Sequence, residues 1–161
     1  VAMPPSVAPY RQRILEDVAS ALRAINGGTS YYNTVKSTSV VLEPNVNIVG
    51  VPLTELPYFI VESTPGGSRF YQPANLIKNI FQVLITARKD AEGNAMDRKM
   101  KAGEQLYYDI EKALMVDRTR GGVAYDTRID EPVIAADFGA GQMVLVAVSL
   151  NVHYIRTFGQ P

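Results

Sequence analysis

The chain has 161 residues, 47% hydrophobic and 20% charged, with 16 Lys and Arg balancing 16 Asp and Glu, which suits one globular domain with its own core. Zero net charge argues against tight capture of nucleic acid through phosphates, which needs a basic excess, and leaves little repulsion against self-association. No cysteine is present, which excludes disulfides, thiolate metal sites and a cysteine nucleophile; no apolar run reaches the roughly 18 residues of a membrane span, so no membrane contact is expected.

No basic start precedes an apolar run, so no signal peptide is expected. Residues 1–8, with Pro4 and Pro5, read as an arm. Tyr10, Ile14, Val18, Ala21, Leu22 and Ile25 then recur at three- and four-residue steps, and Pro9 suits the start of a helix. Arg11, Arg13, Glu16, Asp17, Ser20 and Arg23 fall on its other side. Asn26-Gly27-Gly28 ends the helix. Ser39 to Glu43 is a short β-branched run of strand type. Pro44 to Thr54 is ambiguous: Val46, Ile48 and Val51 allow a short edge strand, but Pro44, Gly50 and Pro52 interrupt it.

Leu56 to Ser63 carries the continuous apolar run Tyr58-Phe59-Ile60-Val61 and predicts a strand. Thr64 to Asn75 reads as a loop. Ile77 to Arg88 is the next strand, with Phe81, Val83, Ile85 and Ala87 on one face. Asn94 is placed to cap a second helix, with Asp97 in its first turn. Met96, Met100, Gly103, Tyr107, Ile110 and Leu114 give its inner stripe; Lys99 and Asp109 are assigned outward. Val123 to Arg128 and Val133 to Asp137 are short strands broken by Pro132. In Met143 to Tyr154, Val144, Val146, Val148, Leu150, Val152 and Tyr154 take every second position, the period of a strand with one buried face. Leu145 and Ala147 make its other face partly apolar, so cover on part of both faces is expected. Residues 156–161 read as a polar tail. The order predicts a single α+β domain over 1–161, a mostly antiparallel β-sheet with two amphipathic helices packed on one face.

The chemistry-bearing residues are sparse. His153 is the only histidine, and it reads as a sheet-surface or interface residue or as a pH switch. Asp126, Asp130, Glu131 and Asp137 form a loose acidic group, but the alternating ligands and central glycine of an EF-hand are missing. Arg128 is interleaved and Arg118 and Arg120 precede the group, so it reads as solvated loop charge. Thr64-Pro65-Gly66-Gly67-Ser68 lacks the lysine of a phosphate loop, and no G-x-S-x-G elbow occurs. Tyr31, Tyr32, Arg69, Phe70 and Tyr71 mix cation with aromatic, the composition of protein interfaces and also of single-strand stacking surfaces. Neutral charge favours the protein contact. A core without a catalytic constellation points to an assembly component rather than an enzyme, with no metal or cofactor.

The layout resembles the tail-terminator proteins of tailed bacteriophages, of the lambda minor-tail-terminator type. The shared features are the helix Tyr10 to Ile25, the strand Leu56-Pro57-Tyr58-Phe59-Ile60-Val61-Glu62 and the alternating strand Ile80 to Arg88. They continue with Leu106-Tyr107-Tyr108-Asp109-Ile110-Glu111-Lys112-Ala113-Leu114, then Asp117 and a glycine pair, and with the closing strand Val148 to Thr157. Pro44 to Thr54 and Thr64 to Asn75 depart from that compact pattern. The resemblance implies a ring, usually a hexamer, on the last ring of the tail tube. It implies that the ring stops tube growth, meets a head-side connector or stopper protein, and passes DNA through its bore without specific binding. The place implied is the neck of the virion, assembled in the host cytoplasm, with a sheath contact if the tail is contractile. Asp126, Asp130, Glu131 and Asp137 are then candidate bore lining, and Arg69-Phe70-Tyr71 part of a ring contact. Other readings are a different neck or head-completion connector, and a metal-dependent enzyme using the acidic residues.

Overall fold

Three 15-residue strands dominate the computed structural model, which describes residues 8–28, 30–42, 45–91, 93–136 and 141–157. Strand β2 (Tyr58–Gln72) pairs antiparallel with β3 (Leu76–Asp90), and β3 pairs antiparallel with β6 (Met143–Thr157) along its whole length. The short β1 (Val40–Val41) adds to β2 in parallel; β4 (Asp126–Ile129) and β5 (Val133–Ala135) both add to the far side of β6. Helices α1 (Tyr10–Arg23) and α2 (Met96–Met115) cover one face. The protein is therefore α+β, a six-stranded, mostly antiparallel sheet with two helices on one face.

Alternation decides which face the helices cover. Phe59 and Val61 of β2, Val83, Ile85 and Ala87 of β3, and Val144, Val146, Val148, Leu150 and Val152 of β6 are all fully buried, with Ile14, Val18 and Leu22 of α1 and Leu106, Ile110 and Leu114 of α2. Each such large side chain contributes roughly 1.5–3 kcal/mol relative to exposure. The opposite face carries no helix among the described residues. The segment around the 3-10 turn Ile48–Gly50 covers part of it, where Arg88 donates from Nη1 to the carbonyls of Ile48, Val49 and Val51. That answers the ambiguity at 44–54: the described part forms no strand, because its carbonyls face one guanidinium instead of a neighbouring strand. The 3-10 turn Leu53–Glu55 completes it.

The expected loop at 64–75 is mostly strand. β2 runs on to Gln72, with a register shift between Ser63 and Gly67, and pairing resumes at Gly67↔Phe81. Gly67 tolerates this because φ is +135° and a Cβ there would sit 2.5 Å from the Ile80 carbonyl oxygen. The turn itself is Pro73-Ala74-Asn75. β3 starts one residue earlier than expected and ends two later. At the C-terminal side β6 extends through Thr157, because Leu76↔Thr157 continues the ladder; 158–161, and 1–7 of the expected arm, lie outside the described residues. No helix among the described residues is long and apolar enough to cross a membrane.

The stripe of α2 is rotated from the expected one in its first half. Met96 and Met100 are exposed there, while Lys99, expected outside, is buried; in the second half Asp109, also expected outside, is buried. Asn94 makes no cap hydrogen bond; Ala95 is the N-cap, and Asp97 sits in the first turn as expected. Gly103 lets α2 approach β5 and β6 closely, since a Cβ there would lie 2.6 Å from Ile134 Cγ2 and 3.1 Å from Val144 Cγ1.

Candidate functional site

Period-two alternation sorts the outer part of β2. Arg69 and Tyr71 share the helix-side face with Asn79 and Ile77, and Phe70 lies on the opposite face beside Lys78 and Ile155. Phe70 is 50% and Tyr71 71% exposed. Arg69 is set by Asn79, whose Oδ1 accepts from Nε at 3.3 Å while its own Nδ2 donates to the Ile77 carbonyl. The guanidinium of Arg11 lies 5.0 Å from the ring centre of Phe81. Arg11, Arg69 and the irregular stretch Thr64–Ser68 line one shallow depression. None of the ion pairs among the described residues involves either arginine. The stretch Thr64–Ser68 is thus a bulged edge strand, and no helix follows it as in a phosphate loop.

Tyr31 and Tyr32 lie elsewhere. Asp109 of α2, fully buried, accepts from the backbone N–H groups of Tyr32 and Asn33 and from Asn33 Nδ2, at 3.0, 2.8 and 2.7 Å. Asn33 Oδ1 in turn accepts from Lys89 Nζ. The loop is pinned so that Tyr32 stays exposed, edge-on to Tyr108 at 5.5 Å, with the Lys112 ammonium near both Tyr31 and Tyr108. Tyr31 packs against the core. Lys89 and Asn79 are ten residues apart on β3, roughly 33 Å of strand. The five candidate contact residues therefore fall at two opposite ends of the sheet, with Phe70 on the other face from Arg69 and Tyr71.

The acidic group divides. Asp126 pairs with Arg118 at 2.6 Å and with Arg128 at 3.1 Å. Burial opposes its charge, but the hydrogen bonds from the two arginines prevail and hold its carboxyl below the usual range. Asp130 accepts twice from Asn151 Nδ2. Glu131 belongs to a different neighbourhood, close to Tyr107 of α2, whose hydroxyl is pushed well up by burial, by a hydrogen bond with Glu111, and by the charges of Glu111, Glu131 and Glu104. Asp137 lies outside the described residues. Among the described residues no group of three or more His, Asp or Glu is placed to hold a metal ion.

Comparison of the sequence with protein-family models gives no match, and comparison with curated proteins gives no significant match.

His153, 8% exposed, sits on the outer face opposite Asp126 in the β4–β6 register, with the Tyr125 ring edge-on at 5.9 Å. Burial, then the Arg128 charge, lowers its pKa. Two residues escaped the sequence reading. Asp109 carried a signal: it lies three residues after Leu106 and four before Ala113, on the inner stripe. Arg120, expected in solvent, is 1% exposed. Nothing in its sequence neighbourhood marks it, because its partners on α1 and at the end of α2 meet it only in the fold.

Proposed function

We propose that the chain is a structural subunit of a phage tail, a terminator that forms a ring on the end of the tail tube. The observation that carries this reading is the separation of the exposed aromatic residues into two unlike groups at opposite ends of one sheet. A closed ring needs that, because each subunit meets one neighbour with one surface and the next neighbour with another. One end of the sheet holds Phe70 and Tyr71, on its two faces, and the other end Tyr32 and Tyr108. Aromatic side chains of this kind are the usual anchors of protein contacts.

In this reading the hexameric ring caps the tube, stops its growth and turns its other side to the connector or stopper of the head. The outer-face group of Asp126 and Asp130 with Arg118 and Arg128 lines the bore. Two acids against two bases leave it without the positive excess that would retain DNA phosphates.

Native mass spectrometry of the purified chain, alone and with tail tubes, tests the reading. A closed oligomer that binds tube ends supports it, as does its loss when Phe70 and Tyr71 are both changed to Ser. A chain that stays single at every concentration, or a particle map that places it away from the junction of tail and head, defeats it.

A further inference from the structure

Each flank of the domain exposes a local group of charges of one sign, although the whole chain is neutral. On one flank α1 lies over β1 and β2, and Arg11 and Arg69 are exposed there with no carboxylate paired to either. On the other flank α2 lies over β5 and β6. Exposed Glu104, Glu111 and Glu131 gather around Tyr107. The nearby Lys112 turns away from them, donating to the Ser30 carbonyl at 2.9 Å. β1 meets β2 only at Phe59 and Ile60, so β2 beyond them has no neighbour on that side among the described residues.

We propose that these flanks dock on each other in successive copies of this chain, Arg11 and Arg69 of one copy against Glu104, Glu111 and Glu131 of the next. The proposal rests on the ring reading and names its contact. Complementary patches on opposite sides of one molecule give a head-to-tail contact, which closes into a ring when the rotation allows. Arg69 pairs in register with Asn79 and so with Tyr154, whereas Val133, two residues beyond Glu131, pairs with Ala147. The patches are thus offset by roughly 17 Å along the strands, and neighbouring copies sit staggered rather than level. A contact built on charge also sets direction, because like flanks repel.

Charge reversal on the full chain tests it by native mass spectrometry. One variant carries Arg11→Glu with Arg69→Glu; the other carries Glu111→Lys with Glu131→Lys. Each alone is expected to raise the concentration needed for assembly at least about tenfold. An equal mixture is expected to regain the oligomer with the two variants alternating, since each reversed flank then meets its complement. Wild-type assembly is also expected to weaken as salt rises from about 0.05 to 0.5 M, as the screening length shortens. If a variant melts early, Arg11→Gln with Arg69→Gln repeats the test on a milder change. Rings of wild-type strength from every variant overturn this contact and leave the ring reading standing. A wild-type chain that never assembles overturns both.

Discussion

Arg120 Nη1 lies 3.2 Å from Asp17 Oδ2, off hydrogen-bond alignment, and joins the turn after α2 to the middle of α1. Its Nη2 donates to the carbonyl of Leu114 in the last turn of α2, where a cation also suits the helix dipole. Burial lowers the Arg120 pKa and raises that of Asp17, and their mutual attraction opposes both shifts without cancelling them. The pair is therefore costly to break but not optimal as a pair. Arg120→Met is expected to cost about 2–4 kcal/mol, because Asp17 stays half-buried without its cation and the Leu114 carbonyl loses its donor. Adding Asp17→Leu should recover much of that. Urea unfolding of the single and double variants measures the coupling; additive costs would show that the two side chains act independently.

Asp109 ties the Tyr31–Asn33 loop to α2 through three accepted hydrogen bonds. Asp109→Ala strands the donors of Tyr32 and Asn33 and is expected to destabilise by about 2–4 kcal/mol. The same change should speed amide exchange at Tyr32 and Asn33 more than at β6. Equal protection of both amides in wild type and variant would remove the anchoring role given to this carboxylate.

Gly103→Val tests the closeness of α2 to the sheet. The new side chain would start within 2.6 Å of Ile134 Cγ2, and overpacking of this kind costs about 1–3 kcal/mol. Shortening the obstacle with Ile134→Ala in the Gly103→Ala background should relieve the clash, so that the double variant is more stable than the sum of its singles. Thermal melts of the series decide it; a Gly103→Val protein as stable as wild type would show that the helix can shift freely.

His153 gives a pH signature with a definite sign. Its folded pKa lies below the ordinary 6.5, through burial and then the Arg128 charge, with Lys78 adding to them and Asp126 opposing. A base with a depressed folded pKa binds its proton more readily when unfolded. Its contribution is therefore complete above pH 6.5 and is lost as the pH falls from there through the folded value. Asp126, whose folded pKa is lowered from 3.8, loses its contribution in a separate, more acid window. Denaturation at pH values from about 7 to 5 should show a decline in wild type that His153→Gln lacks; parallel curves for the two proteins would contradict the assignment.

Strand β6 and the β3 face were legible because alternation depends only on the chain: Val144 to Tyr154 read as one buried row, and the row is buried. The helix α1 was legible for the same reason. The outer half of β2 was not, because Pro65, Gly66 and Gly67 break the local strand pattern. The β3 partners that resume the ladder after that break, Phe81 for Gly67 and Ile80 for Ser68, lie fourteen and twelve residues away. Residues 48–51 read as a possible strand because nothing nearby announces that Arg88 takes their carbonyls.

The candidate contact residues could be named from composition, but their arrangement could not. Tyr31, Tyr32, Arg69, Phe70 and Tyr71 looked like one class of residue; the antiparallel register separates them to opposite ends of the sheet. Asp126 and Glu131, five positions apart, are likewise sent to different neighbours, one to arginines and the other to α2. The sequence by itself determined the periodic elements, the α+β class and the supply of exposed aromatic and charged groups, since periodicity and composition are local. Only the tertiary structure decided which charges are buried and paired, which face the sheet leaves open and which exposed charges stand together. Those depend on contacts between residues far apart in the chain.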